Sequence, residues 1–180
     1  MSDHPAQGPS PSGAAQRTEA LRRIGQLLQV EKPRDGLELE VSGMIGHALG
    51  AARAGYAQLD GGASTLRIRD DWAAPPVACI AGNYSTELFI ETINRLAAGQ
   101  VIAVSDIAAS PWLGGDAGAY ASIGARAFIK VPVRRYGRLC GMLFVHADQP
   151  RDWSFSEVDF MREAAERLSA APVPPAAPEA

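Results

Sequence analysis

Apolar positions follow helical spacing in some stretches of the chain and strand-like alternation or continuous runs in others. Leu21, Ile24, Leu27 and Leu28 share one helical face. Lys32-Pro33 ends that helix, because the residue before a proline is pushed out of the α region. A second helix is predicted to be capped by Asp35, with Glu38 as its capping-box partner, and to bury Leu37, Val41, Met44, Ile45 and Ala48 before Gly50 stops it. Residues 53–59 read as a first strand, and Gly61-Gly62 supply a turn that accepts positive φ. Residues 65–70 alternate Leu66 and Ile68 inward against Arg67 and Arg69 outward, the pattern of a half-exposed strand. Ser85-Thr86 opens a third helix carrying Leu88, Phe89, Ile93 and Leu96, which ends at Gly99. A short strand over 101–104 leads into Asp106. The segment 107–125 is long and holds Pro111, Trp112, Gly114 and Gly115, with a helical stretch near 117–123. Long loops in compact domains are often functional.

The clearest hairpin joins 127–134 to 138–145 through Tyr136-Gly137. Ala127, Ile129, Val131 and Val133 oppose Phe128 and Pro132 on its first strand. Leu139, Gly141, Leu143 and Val145 oppose Cys140, Met142 and Phe144 on its second. Both strands are apolar on both faces, so they are expected at the centre of a sheet covered on each side. A last helix starts at Ser154, with Glu157 in capping-box position and Trp153 and Val158 as a hydrophobic staple. Its expected buried stripe is Phe155, Val158, Met161, Ala165 and Leu168. Because hairpin neighbours dominate this order, the fold class is α+β with an antiparallel sheet. The folded unit is placed at 17–169. Residues 1–16 and 170–180, rich in Pro, Ala, Gly and Ser, are expected to be flexible tails that bury too little to offset ordering entropy.

Composition narrows the function classes. Of 180 residues, 47% are apolar and 21% charged, a globular balance, and the net charge of −3 argues against a nucleic-acid or anionic-membrane partner. Met1 to Gln16 does not read as a secretory signal, and no stretch approaches the ~20 apolar residues of a membrane helix, so a cytoplasmic protein is expected. Cys79 and Cys140 sit in apolar runs and read as two buried thiols. His4, His47 and His146 are scattered, which supplies no zinc site.

The stretches 52–57, 99–106, 124–133, 136–146 and 150–158, in this order and at this spacing, resemble a GAF domain over about residues 20–169. The run Pro150-Arg151-Asp152-Trp153 with Glu157-Val158 is most similar to the GAF modules of bacterial sensor histidine kinases. The resemblance implies a GAF-like, PAS-related sheet of five to six strands in the order 2-1-5-4-3. It places the N- and C-terminal helices on one face and a ligand pocket on the other. Family members bind cyclic nucleotides, bilins, haem or small metabolites, or bind nothing and mediate dimerisation. The twelve residues after Leu168 are too few for a kinase, so the chain is either a single-domain protein or part of a longer one.

On that frame, Tyr84, Trp112, Tyr120 and Phe128 are candidate flat walls of a pocket, and Asp106, Arg126 and His146 its polar anchors. The alternative is plain core for the aromatic residues and plain surface for the polar ones. Asp106 resembles the aspartate that contacts the chromophore in phytochrome-type domains, although Ala108 stands where that motif has proline; the competing role is a turn cap. His146 matches a histidine of the phytochrome pattern, but no cysteine occupies 117–124 or position 145, which argues against covalent bilin attachment. Arg126 and Arg151 are either pocket contacts or partners of nearby carboxylates. The phosphodiesterase cyclic-nucleotide signature is missing at Asn94-Arg95-Leu96.

These readings favour a non-catalytic sensory or regulatory module in bacterial signal transduction, with a small molecule of unidentified class as ligand and a histidine-kinase-like protein as partner. A homodimer is expected through apolar stripes of the first and last helices. The alternatives are a redox enzyme of the free methionine-R-sulfoxide reductase type, for which the 105–125 segment carries no cysteine, and a non-covalent bilin photosensor.

Overall fold

The computed structural model describes residues 12–29, 36–60 and 64–171. Its elements are helix α1 (Gly13–Leu28), α2 (Leu37–Leu49), strands β1 (Arg53–Leu59), β2 (Thr65–Ala73) and β3 (Gly82–Ser85), α3 (Ile90–Ala97), β4 (Ile102–Val104), α4 (Asp116–Ser122), β5 (Ala127–Arg135), β6 (Arg138–Ala147) and α5 (Phe155–Ala170). Short 3-10 turns precede α3 at Thr86–Phe89 and α4 at Pro111–Leu113. The strands form one antiparallel sheet in the order β3-β2-β1-β6-β5-β4. Five of them repeat the expected order, and β3 is an additional edge strand pairing Gly82–Ser85 with Ile68–Thr65.

The β5–β6 hairpin is central and covered on both sides, because alternate residues feed two cores. Ile129, Val131, Val133, Leu143 and Val145 pack under α1, α2 and α5, around Ile24, Ile45 and Met161. Phe128, Met142 and Phe144 face the opposite core with Leu66, Ile68, Phe89, Leu96, Leu113 and Tyr120. The first core is roofed by three helices of 13 to 16 residues. The second is roofed by α3, α4, the two 3-10 turns and connecting loops. Among the described residues no helix is long and apolar enough to cross a membrane.

Several local expectations change. Helix α1 begins at Gly13, inside the stretch expected to be a flexible tail, because Ser12 accepts a hydrogen bond from the Ala15 amide. The Gly61-Gly62 turn and the Asp35 cap lie outside the described residues; α2 starts after Gly36, in a left-handed conformation, without a side-chain cap. The third helix starts later than expected, because Ser85 caps a 3-10 turn, and Leu88 on that turn is exposed. Ser154 and Glu157 form the expected capping box. Phe155 is 80% exposed rather than buried, since helical spacing puts it on the side of α5 away from Phe160, Met161, Ala164 and Ala165, which carry the stripe. Cys79 is exposed and Cys140 half-buried, and both are free thiols rather than core. The run around Cys79 is an irregular connection, not a strand, and only Ile80 turns inward.

Candidate functional site

Strand alternation sets the site. On β5, Phe128 and Lys130 face the second core; on β6, Met142, Phe144 and His146 do the same, with Lys130 directly opposite Phe144 and Phe128 opposite His146. Of these, Lys130, Met142, Phe144 and His146 join Ala57, Leu66, Ile68, Ile80, Tyr84, Phe89, Tyr120 and Ile123 around a cavity of about 30 Å³, room for about one water. Gly55 on β1 lies opposite Phe144, and any side chain there would overlap the Phe144 ring. The missing side chain lets that ring lie across β1 and stack on His146, with centroids 4.7 Å apart.

Lys130 is the anomaly. Its residue is 4% exposed, and no acidic side chain among the described residues lies within ion-pair distance of it. Its Nζ is 3.3 Å from His146 Nε2 and sits 4.9, 5.2 and 5.1 Å from the ring centres of Tyr120, Phe128 and Phe144. Burial pushes its pKa down to about 7, an effect that Asp116 partly opposes. His146 is held well below the usual histidine range, first by burial and then by the positive charges of Lys130 and Arg53. It is therefore a neutral imidazole, and its buried Nδ1 has no hydrogen-bond partner.

A polar frame fixes the roof. The Tyr120 hydroxyl donates to Thr92 Oγ1 at 2.8 Å, and burial raises its pKa. Asp116 accepts the Thr92 amide at 2.8 Å and the Glu91 amide at 3.3 Å, which ties α4 to the start of α3. On the other flank, Arg53 donates to the carbonyls of Ala78 at 2.6 Å and Ile123 at 3.1 Å, and its Nε lies 3.4 Å from Asp71 Oδ2. Asp71 Oδ1 accepts the Ile80 amide at 2.8 Å and the Cys79 thiol at 2.7 Å. The buried pair thereby holds the 74–81 connection against the cavity. Tyr84 closes it, its hydroxyl donating to the Ile80 carbonyl at 2.6 Å.

Of the residues selected from sequence, Tyr84, Tyr120 and His146 meet at the cavity. Phe128 is fully buried beside Tyr120, 4.8 Å between ring centres. Trp112 lies off the cavity, half-buried, under the Arg95 guanidinium at 4.2 Å. Asp106 caps its own turn through the Ala108 amide at 3.1 Å and pairs with Arg126 at 3.3 Å, both side chains substantially exposed. Arg151 binds Glu157 at 2.6 Å and the Leu49 and Gly50 carbonyls, joining the end of α2 to the start of α5. Sequence reasoning passed over Lys130, Arg53, Asp71 and Asp116. For Lys130 the signal was present: a lysine between Phe128 and Pro132 on a strand apolar on both faces. Lysine is almost never fully buried without a partner. Among the described residues no group of three metal-ligating side chains gathers.

An antiparallel sheet with a helical layer on one face and a small cavity under irregular cover on the other defines the class: an α+β sheet domain with an internal site. The chain belongs to the GAF domain family, whose model matches residues 18–171. It is similar to the phycocyanobilin-bound GAF domain from a cyanobacterial phytochrome, at 15% identity and TM-score 0.74, covering 85% of this chain and 91% of that one. It is also similar to the free methionine-R-sulfoxide reductase of Neisseria meningitidis in complex with its substrate, at 19% identity and TM-score 0.69, over 90% of each chain. A third similar structure is the GAF domain of the Acinetobacter phosphoenolpyruvate-protein phosphotransferase, at 15% identity and TM-score 0.65, covering 85% of this chain and 90% of that one. At these identities the likeness establishes the fold. Comparison with curated proteins finds no match.

Proposed function

We propose that this GAF domain is a non-catalytic sensory module. It takes up a small molecule between the sheet and the α3–α4 layer and reports occupancy through its terminal helices to a histidine-kinase-like partner. The observation that carries the reading is the convergence of Tyr84, Tyr120, His146 and the buried, carboxylate-free Lys130 on one cavity. A lysine in an apolar core weakens the fold, and such local conflicts concentrate at functional sites. The similar structures with a bound bilin and a bound substrate lend the reading support by analogy. A space of about one water does not favour a bilin photosensor. Dimerisation belongs to the same proposal. Ile24, Leu28, Met161 and Ala165 are buried in the chain's own core, so a two-fold contact would use the outer faces of α1 and α5.

The test is a native mass spectrum with an absorption spectrum of the full chain purified from its own host. The expected result is a stoichiometric non-protein mass without visible absorption. Protein that is free of bound mass and gains no thermal stability from its host's small-molecule extract would overturn the reading.

A further inference from the structure

We propose that Lys130 and His146 bind the carboxylate of a small organic acid whose apolar remainder lies against Ile68, Met142 and Phe144. This rests on the ligand-sensing reading above and names the ligand's class. Of the cavity's polar groups, the Tyr84 and Tyr120 hydroxyls give their protons to the Ile80 carbonyl and Thr92 Oγ1, whereas Lys130 and His146 hold N–H groups that no carboxylate among the described residues takes up. With Lys130 donating to His146 Nε2, the neutral imidazole carries its proton on the unpartnered Nδ1, and the lysine keeps further N–H groups to offer. Both side chains are more than nine-tenths buried. Asp116, the acidic group that acts on Lys130, already has both carboxylate oxygens on backbone amides. The second buried cation, Arg53, is paired with Asp71, which leaves Lys130 as the uncompensated charge at the cavity among the described residues.

The other walls are apolar, which selects one charged pole and a hydrophobic body. A tetrahedral inorganic anion wants donors on every side and finds them on one. The cavity holds about one water, so even a short-chain acid enters only as the α3–α4 cover yields, and the small space favours an acid of few carbons. The charged and titratable groups around Lys130 are His146 of β6, Tyr120 of α4 and Tyr84 of β3 on the cavity wall, with Asp116 of α4 acting on Lys130 and Arg53 of β1, paired with Asp71 of β2, acting on His146. His146 is held neutral and both tyrosines are shifted upward, so these three keep their protonation near neutral pH. Lys130, near 7, changes its own there. A carboxylate beside Lys130 restores its proton, so binding takes up a proton above pH 7. Affinity then falls by up to about tenfold per pH unit as the free lysine loses its charge.

The experiment is calorimetric titration and thermal unfolding of the full chain with propionate, butyrate and pyruvate, with butyramide as the neutral isostere and nitrate as an inorganic anion. Saturable binding of a carboxylate is expected, tighter at pH 6.5 than at 8.5, with proton uptake at 8.5 that differs between buffers of different ionisation enthalpy. Folded Lys130→Met and His146→Leu variants should each lose about tenfold or more in affinity. No saturable carboxylate binding up to about 100-fold above a micromolar range, or binding that survives in Lys130→Met, overturns the carboxylate assignment. Equal binding of butyramide, or nitrate in place of every carboxylate, does the same. If the host-purified protein still carries another bound mass, the sensory reading stands while the ligand class falls.

Discussion

At the scale of single residues, the chain keeps a lysine where a methionine would pack. The unfolded chain protonates Lys130 near its ordinary value of 10.5, whereas the native state releases that proton near 7. Between pH 7 and 10 the unfolded state therefore binds more protons, and native stability rises with pH by up to about 1.4 kcal/mol per unit from this group. Below pH 7 both states are charged and the destabilisation is complete. His146 acts in a separate window below 6.5, where falling pH costs stability. Replacing Lys130 by Met should stabilise the protein at pH 7 by about 1–4 kcal/mol, with a gain that shrinks toward pH 10. Urea unfolding of both proteins across that range checks the sign, and a gain independent of pH would contradict it. Arg53 behaves oppositely. Arg53→Met strands Asp71 in the core and should cost about 3–5 kcal/mol, read from the denaturation midpoint. Tyr120 and His146 were visible in the sequence as residues of a recognisable strand and loop pattern. Arg53 and Asp71 were not, because their pairing depends on a register between β1 and β2 that no local pattern records.

At the scale of elements, helix and strand identities were legible because their apolar periods are strong, while the boundaries and covers were not. Strand β3 has four residues, of which Tyr84 alone is even half-buried, so it shows no alternation to read. Phe155 reads as the edge of a stripe with Val158 and Met161, but the buried face of α5 centres on Phe160, Met161, Ala164 and Ala165, about half a turn away from it. The contact of α2 with β2 is another feature hidden from sequence. A Cβ on Gly46 would fall 2.0 Å from the Trp72 ring, so glycine here is a packing requirement. Gly46→Ala should destabilise by about 1–3 kcal/mol, and pairing it with Trp72→Leu should recover part of that loss in a double-mutant cycle. Additive losses would show that the two surfaces do not interlock. At the α5 start, Ser154→Ala should cost about 1 kcal/mol through the capping box.

At the scale of the whole molecule, the two sides of the sheet are built differently, and that asymmetry suits a sensor. Helices α1, α2 and α5 cover one side with long, regular elements that share a continuous core. The other side is closed by an eight-residue helix, a seven-residue helix, two 3-10 turns and loops, tied down by a few buried polar contacts. Any ligand larger than a water needs this cover to yield, since the cavity holds about 30 Å³. Local opening draws on regions with short elements and little private core, so the cover should open below the global unfolding free energy. Hydrogen exchange followed by mass spectrometry should find β1, β5 and β6 slowest. Residues 105–125 and 74–85 should exchange through a sub-global opening with a lower free energy and a smaller denaturant slope than global unfolding. Arg53→Met should speed exchange in 74–81 and near Ile123 more than in α2, because its side chain is what pins both segments. If the cover instead exchanges together with β5 and β6, the domain opens as one unit, and a ligand would enter by a route other than the loosening of the roof.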